Sequence, residues 1–473
     1  MHYHSTRSAP SSQFAASQGA PATFTDVLLG GLAPDGGLYV PSQWPKLDKE
    51  TLRAWRKLDY PALAARTISL FAGEDIPLPT LEAMTKRAYS RFGHSAIVPL
   101  VEVSPGLYAL ELFHGPTLAF KDMAMQMLGE LFEEALKRRN AHVTIVGATS
   151  GDTGSAALEA FKGKENVNIV ILHPLGRTSE VQRRQMTSVQ APNVLNIAIE
   201  GDFDDCQAMV KAMFADSAFR EEVHLSAVNS INWARIAAQV AYFIHAALKL
   251  GAPDRPVSFA VPTGNFGNVL AAWGAKQMGV PVSRLCVGSN QNDILTRFLH
   301  NNDMSRSPVA PSLSPSMDIQ VSSNFERLLH ESLGRDGEAC KATMESFAQT
   351  GAMAVPEQAW QRITAHFMGR SLDDGATLNA MKRFADGGYV ADPHTAIGLV
   401  AGEGGLEPGV PMIVAATAHP AKFPDAVHKA TGQRPAQPAQ LEGLWQRPER
   451  CLTLPADLAK VKQAVATFSR RDS

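Results

Sequence analysis

The chain is poor in the features that would direct it to a membrane, a nucleic acid or a disulfide scaffold. Its 473 residues include 4 cysteines, Cys206, Cys286, Cys340 and Cys451, which are far apart and lack metal-ligand spacing. We expect buried, reduced thiols and no metal site. The formal net charge is -2, and no Lys/Arg run departs from that balance, so the basic footprint of a nucleic-acid binder is missing. No apolar run approaches bilayer length and the N-terminus has no apolar signal core, which predicts a cytoplasmic protein without membrane attachment. The glycine turns carry neither Gly-x-Gly-x-x-Gly nor a Walker Gly-Lys-Ser/Thr ending, giving little support to dinucleotide or nucleoside triphosphate binding. What the chain does have is 45% hydrophobic residues, enough for large cores divided among two or three domains. It shows no internal repeat and no heptad seam.

One lysine stands among apolar neighbours in His114-Gly-Pro-Thr-Leu-Ala-Phe-Lys121-Asp-Met. From Asp122 to Asn140, Met123, Met127, Leu128, Leu131, Phe132 and Leu136 recur at helical spacing, placing Lys121 at or just before a first helical turn. The open N–H groups there disfavour a positive charge, and desolvation by Leu118, Phe120 and Met123 acts the same way. A neutral amine so produced is a nucleophile able to join an aldehyde. The plain alternative is a lysine on a solvated helix face.

Two strand–turn–helix segments follow. Val257-Ser-Phe-Ala-Val-Pro-Thr-Gly-Asn-Phe-Gly-Asn268 reads as a buried strand, a glycine turn and a helix from near Asn268. Gly264 and Gly267 would adopt positive φ and let the backbone approach a phosphate, with Asn265, Phe266 and Asn268 completing the turn. Val143 to Ala157 repeats the arrangement, and Ser150, Asp152, Thr153 and Ser155 could hold a carboxylate, with Asp152 able to orient a neighbouring donor. An ordinary turn explains the first segment as well, and Asp152 or Thr153 could simply cap the second helix.

A reactive lysine, a phosphate turn and a carboxylate turn together describe a pyridoxal 5'-phosphate (PLP) enzyme acting on an amino acid. The chain also resembles the threonine synthases, PLP enzymes of the tryptophan synthase β-like fold (fold type II), in their longer bacterial and fungal form. The matching segments are residues 3–7, 31–41, 114–122, 149–154, 229–235, 263–268, 315–319 and 417–423, in order along the chain. Residues 8–21, rich in Ser, Ala and Gln, depart from the family as an inserted loop that we expect to be mobile.

The expected fold is α/β, with parallel sheets flanked by helices and an N-terminal covering domain. Helices are expected from Tyr60 and over Leu81–Phe92, and a strand over Ile97–Val103. Strands over 143–147, 168–173, 194–199, 257–261, 284–288 and 412–417 then alternate with helices. We divide the chain into an N-terminal domain (1–96) and a catalytic region (97–473). The latter comprises a large PLP domain (97–140 and 236–430), a small domain (141–235) and a C-terminal segment (431–473). Asn301 to Asp318, rich in Ser and Pro, is expected as a long loop, either a binding loop or a disordered excursion.

The resemblance implies roles for individual residues. Lys121 would join PLP and then shuttle protons, the Gly264–Asn268 turn would hold the cofactor phosphate, and Thr417 would face the pyridine nitrogen. A neutral hydroxyl there holds that nitrogen protonated less well than a carboxylate, tempering the electron sink. Ser150, Asp152 and Thr153 would serve the substrate carboxylate and the cofactor's ring hydroxyl. The family's substrate, O-phospho-L-homoserine, carries its own phosphate, for which Arg235 with Ser230 and Asn232 leads, ahead of Arg177 and Lys422. His114 is a second proton-shuttle candidate. The implied reaction is γ-elimination of phosphate followed by addition of water at Cβ, the last step of threonine biosynthesis, by a monomer or homodimer. Its competitors are a phospho-lyase or dehydratase releasing 2-oxobutyrate and ammonia, and a PLP-binding protein without turnover.

Overall fold

The computed structural model describes residues 1–8 and 21–470. The expected inserted loop therefore lies, apart from Ser8 and Pro21, outside the described residues. By Cα proximity the chain falls into two compact units, Met1–His114 with Ser230–Ala436, and Gly115–Asn229 with Gln437–Ser473.

The first unit holds a six-stranded sheet in the order Phe367–Ser371, Val282–Ser289, Val257–Pro262, Met412–Ala416, Leu107–Glu111, Leu100–Ser104. Its pairings are parallel except for the last two strands, which form an antiparallel hairpin. Val257–Pro262 and Met412–Ala416 are buried at every position, as central strands covered on both faces must be. The helix Trp233–Lys249 is capped by Asn232 Oδ1, which accepts the Ala234 N–H at 3.0 Å, and is buried from Trp233 through Leu248. A helix apolar around most of its circumference belongs inside a core. The N-terminal residues join this unit: Tyr3–Ser5 pairs with Tyr39–Pro41, and Thr6 Oγ1 and the Arg7 guanidinium all donate to the buried Glu326 carboxylate. The helices expected near 60 and 81 are Tyr60–Ala72 and Leu78–Tyr89.

The second unit is built on a five-stranded parallel sheet in the order Leu452–Pro455, Val194–Glu200, Val167–Pro174, Val143–Ala148, Leu225–Ser226. The helices Lys121–Arg139 and Asp152–Phe161 pack so closely that a Cβ on Gly129 would lie 2.5 Å from the Ala160 carbonyl oxygen. That contact is why residues 115–140 group with 141–229, whereas the sequence-based partition placed them with the large domain. Residues 437–473 join the same unit because Leu452–Pro455 extends its sheet beside Val194–Glu200.

Among the described residues, no helix is long and apolar enough to cross a membrane. Three cysteines are buried, and burial pushes the Cys206 thiol up to about 11 and that of Cys286 to about 12. Cys451 corrects the expectation of four buried thiols: it is exposed, because it immediately precedes an edge strand.

Candidate active site

Lys121 is the first residue of its helix, with Phe120 as N-cap, so it stands where the sequence placed it. Its Nζ lies 5.0 Å from the Phe120 ring centroid and 3.3 Å from Asp152 Oδ2, and its side chain is 11% exposed. The amine therefore has an acidic partner as well as apolar neighbours. The loop before it is locked by Asp122, wholly buried, which accepts the Thr117 N–H at 2.8 Å and the Thr117 hydroxyl at 2.7 Å. A Cβ on Gly115 would come within 2.5 Å of Asp122, so that approach requires a glycine.

In the turn after Val143–Ala148, neither Asp152 nor Thr153 is the cap; the N-cap is Gly151, at φ 143°. Thr149 Oγ1 holds the turn instead, accepting from the Gly151 and Gly154 N–H groups at 3.0 and 2.9 Å. Asp152 is buried and acts as an acceptor on both sides, from Lys121 Nζ and from Gln182 Nε2 at 2.9 Å. A carboxylate so placed repels another carboxylate, so of the duties foreseen for Asp152 its setting favours those of an acceptor, the orienting of a donor among them. Ser150 is exposed and Thr153 half-buried. The sequence reading missed Thr149 and Gln182, since their partners lie along turns or 30 residues away.

The turn after Val257–Pro262 leads into the helix Gly267–Gln277. Positive φ falls on neither Gly264 nor Gly267, as the sequence suggested, but on Phe266 at 62°. A bulky residue accepts that conformation only when its surroundings enforce it. Phe266 is 2% exposed and packs against Phe325 and Phe367, with ring centroids 5.6 and 5.8 Å away. Gly264 is needed for close approach, because a Cβ there would lie 2.5 Å from the Ser316 carbonyl oxygen. Asn265 is exposed, and its carbonyl accepts from Asn324 N–H and Nδ2 at 3.1 and 2.9 Å. Asn268 Oδ1 accepts from the Tyr242 hydroxyl at 2.5 Å, while its buried Nδ2 has no partner. An unsatisfied buried donor at a helix N-terminus, behind a turn with no room for a side chain, suits the phosphate of the expected cofactor.

The segment expected as a long loop is an ordered strap. Asn290 Nδ2 donates to Ser312 Oγ, Ser314 Oγ and Asp318 Oδ1 at 2.8, 3.0 and 2.7 Å, and Leu313 N–H donates to Asp374 Oδ1. Such pinning contradicts the disordered alternative. The strap backs the Gly264 turn through Ser316, and Ser322 Oγ donates to the Gly264 carbonyl at 2.6 Å.

Thr417 follows the strand Met412–Ala416 and is 5% exposed, with its N–H donating to Thr395 Oγ1 at 3.2 Å. Arg235 is 3% exposed and its Nε and Nη1 have no hydrogen-bond partner. Burial lowers its guanidinium to about 10, against a smaller opposing pull from Tyr242. A buried cation with open donors is a place for an anion. Asn232, the third residue of the expected phosphate set, is engaged by the fold itself. It is wholly buried, its Nδ2 donates to the Leu28 carbonyl at 2.8 Å and its Oδ1 caps the helix, so both ends of its amide serve the fold. Ser230 is half-buried and its carbonyl accepts from Asn324 Nδ2 at 3.1 Å. Arg177 is exposed, Lys422 is wholly buried, and His114 Nε2 lies 2.8 Å from Glu111 Oε2.

Comparison with known proteins adds an independent line. Family models match residues 2–89 (Threonine synthase N terminus), 93–357 (Pyridoxal-phosphate dependent enzyme) and 395–465 (Threonine synthase, C-terminal). Threonine synthase from Pseudomonas aeruginosa is 50% identical over 456 residues, spanning 96% of this chain and 97% of that one. The crystal structure of PLP-bound threonine synthase from Brucella melitensis matches with a TM-score of 0.95 at 47% identity, covering 99% of this chain and 100% of that one. For the yeast threonine synthase structure the TM-score is 0.92 at 38% identity, covering 99% and 98%.

Proposed function

The chain belongs to the threonine synthase family of PLP-dependent enzymes, and on that premise we propose that it converts O-phospho-L-homoserine and water to L-threonine and phosphate. The observation that carries the proposal is Lys121, first residue of a helix, with Nζ 3.3 Å from the buried carboxylate of Asp152.

Lys121 would hold the cofactor through Nζ. The N–H groups of the Gly264–Asn268 turn, with the side-chain amides of Asn265 and Asn268, would hold its phosphate, and the Thr417 hydroxyl would face its ring nitrogen. When bound, PLP supplies the electron sink that acidifies the substrate's C–H bonds, so that phosphate can leave Cγ and water can enter at Cβ. Lys121 Nζ would take the proton from Cα and return protons in the later steps. Asp152 keeps that amine within reach by accepting from it, and Gln182 fixes the carboxylate from the other side. The hydroxyls of Ser150 and Thr153 would receive the substrate carboxylate. Arg235, whose fork matches phosphate oxygens and whose donors are unsatisfied, would receive the substrate phosphate with Ser230.

The test is product analysis on O-phospho-L-homoserine with the PLP-loaded protein. Threonine with equimolar phosphate is the expected result, and 2-oxobutyrate with ammonia would make the protein a lyase. In the same assay Arg235→Ala should raise the half-saturating substrate concentration about tenfold or more while leaving PLP retention near wild type. Equal loss of both would return Arg235 to a structural role.

A further inference from the structure

The helix Pro393–Glu403 enters none of the chemistry above, yet its first turn holds two of the elements that do. Asp392 caps it, accepting from the His394 and Thr395 N–H groups at 3.0 Å each. Asp392 Oδ2 also lies 2.7 Å from His394 Nδ1, with Asp392 wholly buried and His394 3% exposed. With Nδ1–H given to the carboxylate, Nε2 keeps its lone pair, and it accepts the Ser316 backbone N–H at 3.3 Å. The carbonyl oxygen of that same Ser316 occupies the space a side chain on Gly264 would need. One residue further along the helix, Thr395 Oγ1 accepts the Thr417 N–H.

Capping alone does not account for the histidine, because Asp392 already satisfies the helix's open N–H groups without it. A carboxylate that fixes one ring nitrogen so that the other presents a defined lone pair is a device for orientation. We propose that this helix turn positions the cofactor site: the Asp392–His394 pair sets Ser316 and thereby the Gly264 turn, while Thr395 sets Thr417. His394 and Thr395 are positioning residues. The proposal rests on the reading that the Gly264–Asn268 turn and Thr417 hold PLP.

The experiment is titration of the apoprotein with PLP, together with the rate of PLP loss after dilution, for His394→Ala, His394→Gln and His394→Asn, with Asn268→Ala as a reference. His394→Ala should weaken retention about tenfold. Glutamine, whose amide oxygen reaches the Nε2 position and accepts from Ser316, should recover most of that loss. Asparagine keeps the donor toward Asp392 but falls short of Ser316, and should not recover it. Thr395→Val should shift the absorbance maximum of bound PLP, and Thr395→Ser should leave it in place. Wild-type retention in all three His394 variants, folded by circular dichroism while Asn268→Ala loses PLP, would overturn the positioning role and leave the phosphate turn standing. Equal loss in the Gln and Asn variants would also overturn it, and that contrast decides the matter should the Ala variant fail to fold. Unchanged retention in Asn268→Ala would instead remove the reading of the turn, and this proposal with it.

Discussion

The turns at 149–154 and 263–268 are made from the same parts, a parallel strand, glycines with small polar residues, and a helix beginning within a few residues. In the later turn the side chain left without a partner is a donor, Asn268 Nδ2. In the earlier one the buried side chain is an acceptor, Asp152, with a lysine and a glutamine donating to it. Backbone architecture makes both helix N-termini attractive to anions, and one carboxylate reverses the chemistry of the first. The same local fold thus leaves an open donor, Asn268 Nδ2, in one place and an acceptor for an amine, Asp152, in the other.

Exchanging the two characters should break the contrast. Asn268→Asp puts a carboxylate where the donor stands, and retention of PLP, measured by titration of the apoprotein, should fall about a hundredfold or more. Retention near wild type would move the cofactor phosphate away from that turn. Asp152→Asn makes the opposite exchange. It should lower kcat about tenfold to a hundredfold, with PLP retention within about threefold of wild type, because an amide still fills the space but orients the amine less strongly. A parallel fall in both quantities would assign Asp152 to holding the cofactor.

The alternating architecture was legible because the central strands are apolar on both faces, and runs such as Val257–Val261 and Met412–Ala416 announce that by composition alone. Not every edge strand was legible. Phe367–Ser371 and Leu452–Pro455 each carry exposed residues and have a neighbour on one side only, so no continuous apolar run marks them. Of the antiparallel pair Leu100–Ser104 and Leu107–Glu111, only the first strand was expected, over 97–103, and its partner beyond Gly106 (φ 77°) was not. At the site, Lys121 was legible because its helix begins beside it. Gln182, Asn324 and the Asp392–His394 pair were not, since their work is done across sequence separations of 30 to 78 residues. Positive φ was assigned to glycines by default, whereas aromatic packing around Phe266 placed it on a phenylalanine.

The most direct test is of the amine itself. Borohydride reduction of the PLP-loaded protein followed by peptide mapping should place the pyridoxyl group on Nζ of Lys121. The same label on another lysine, or its absence from every peptide, would contradict the account.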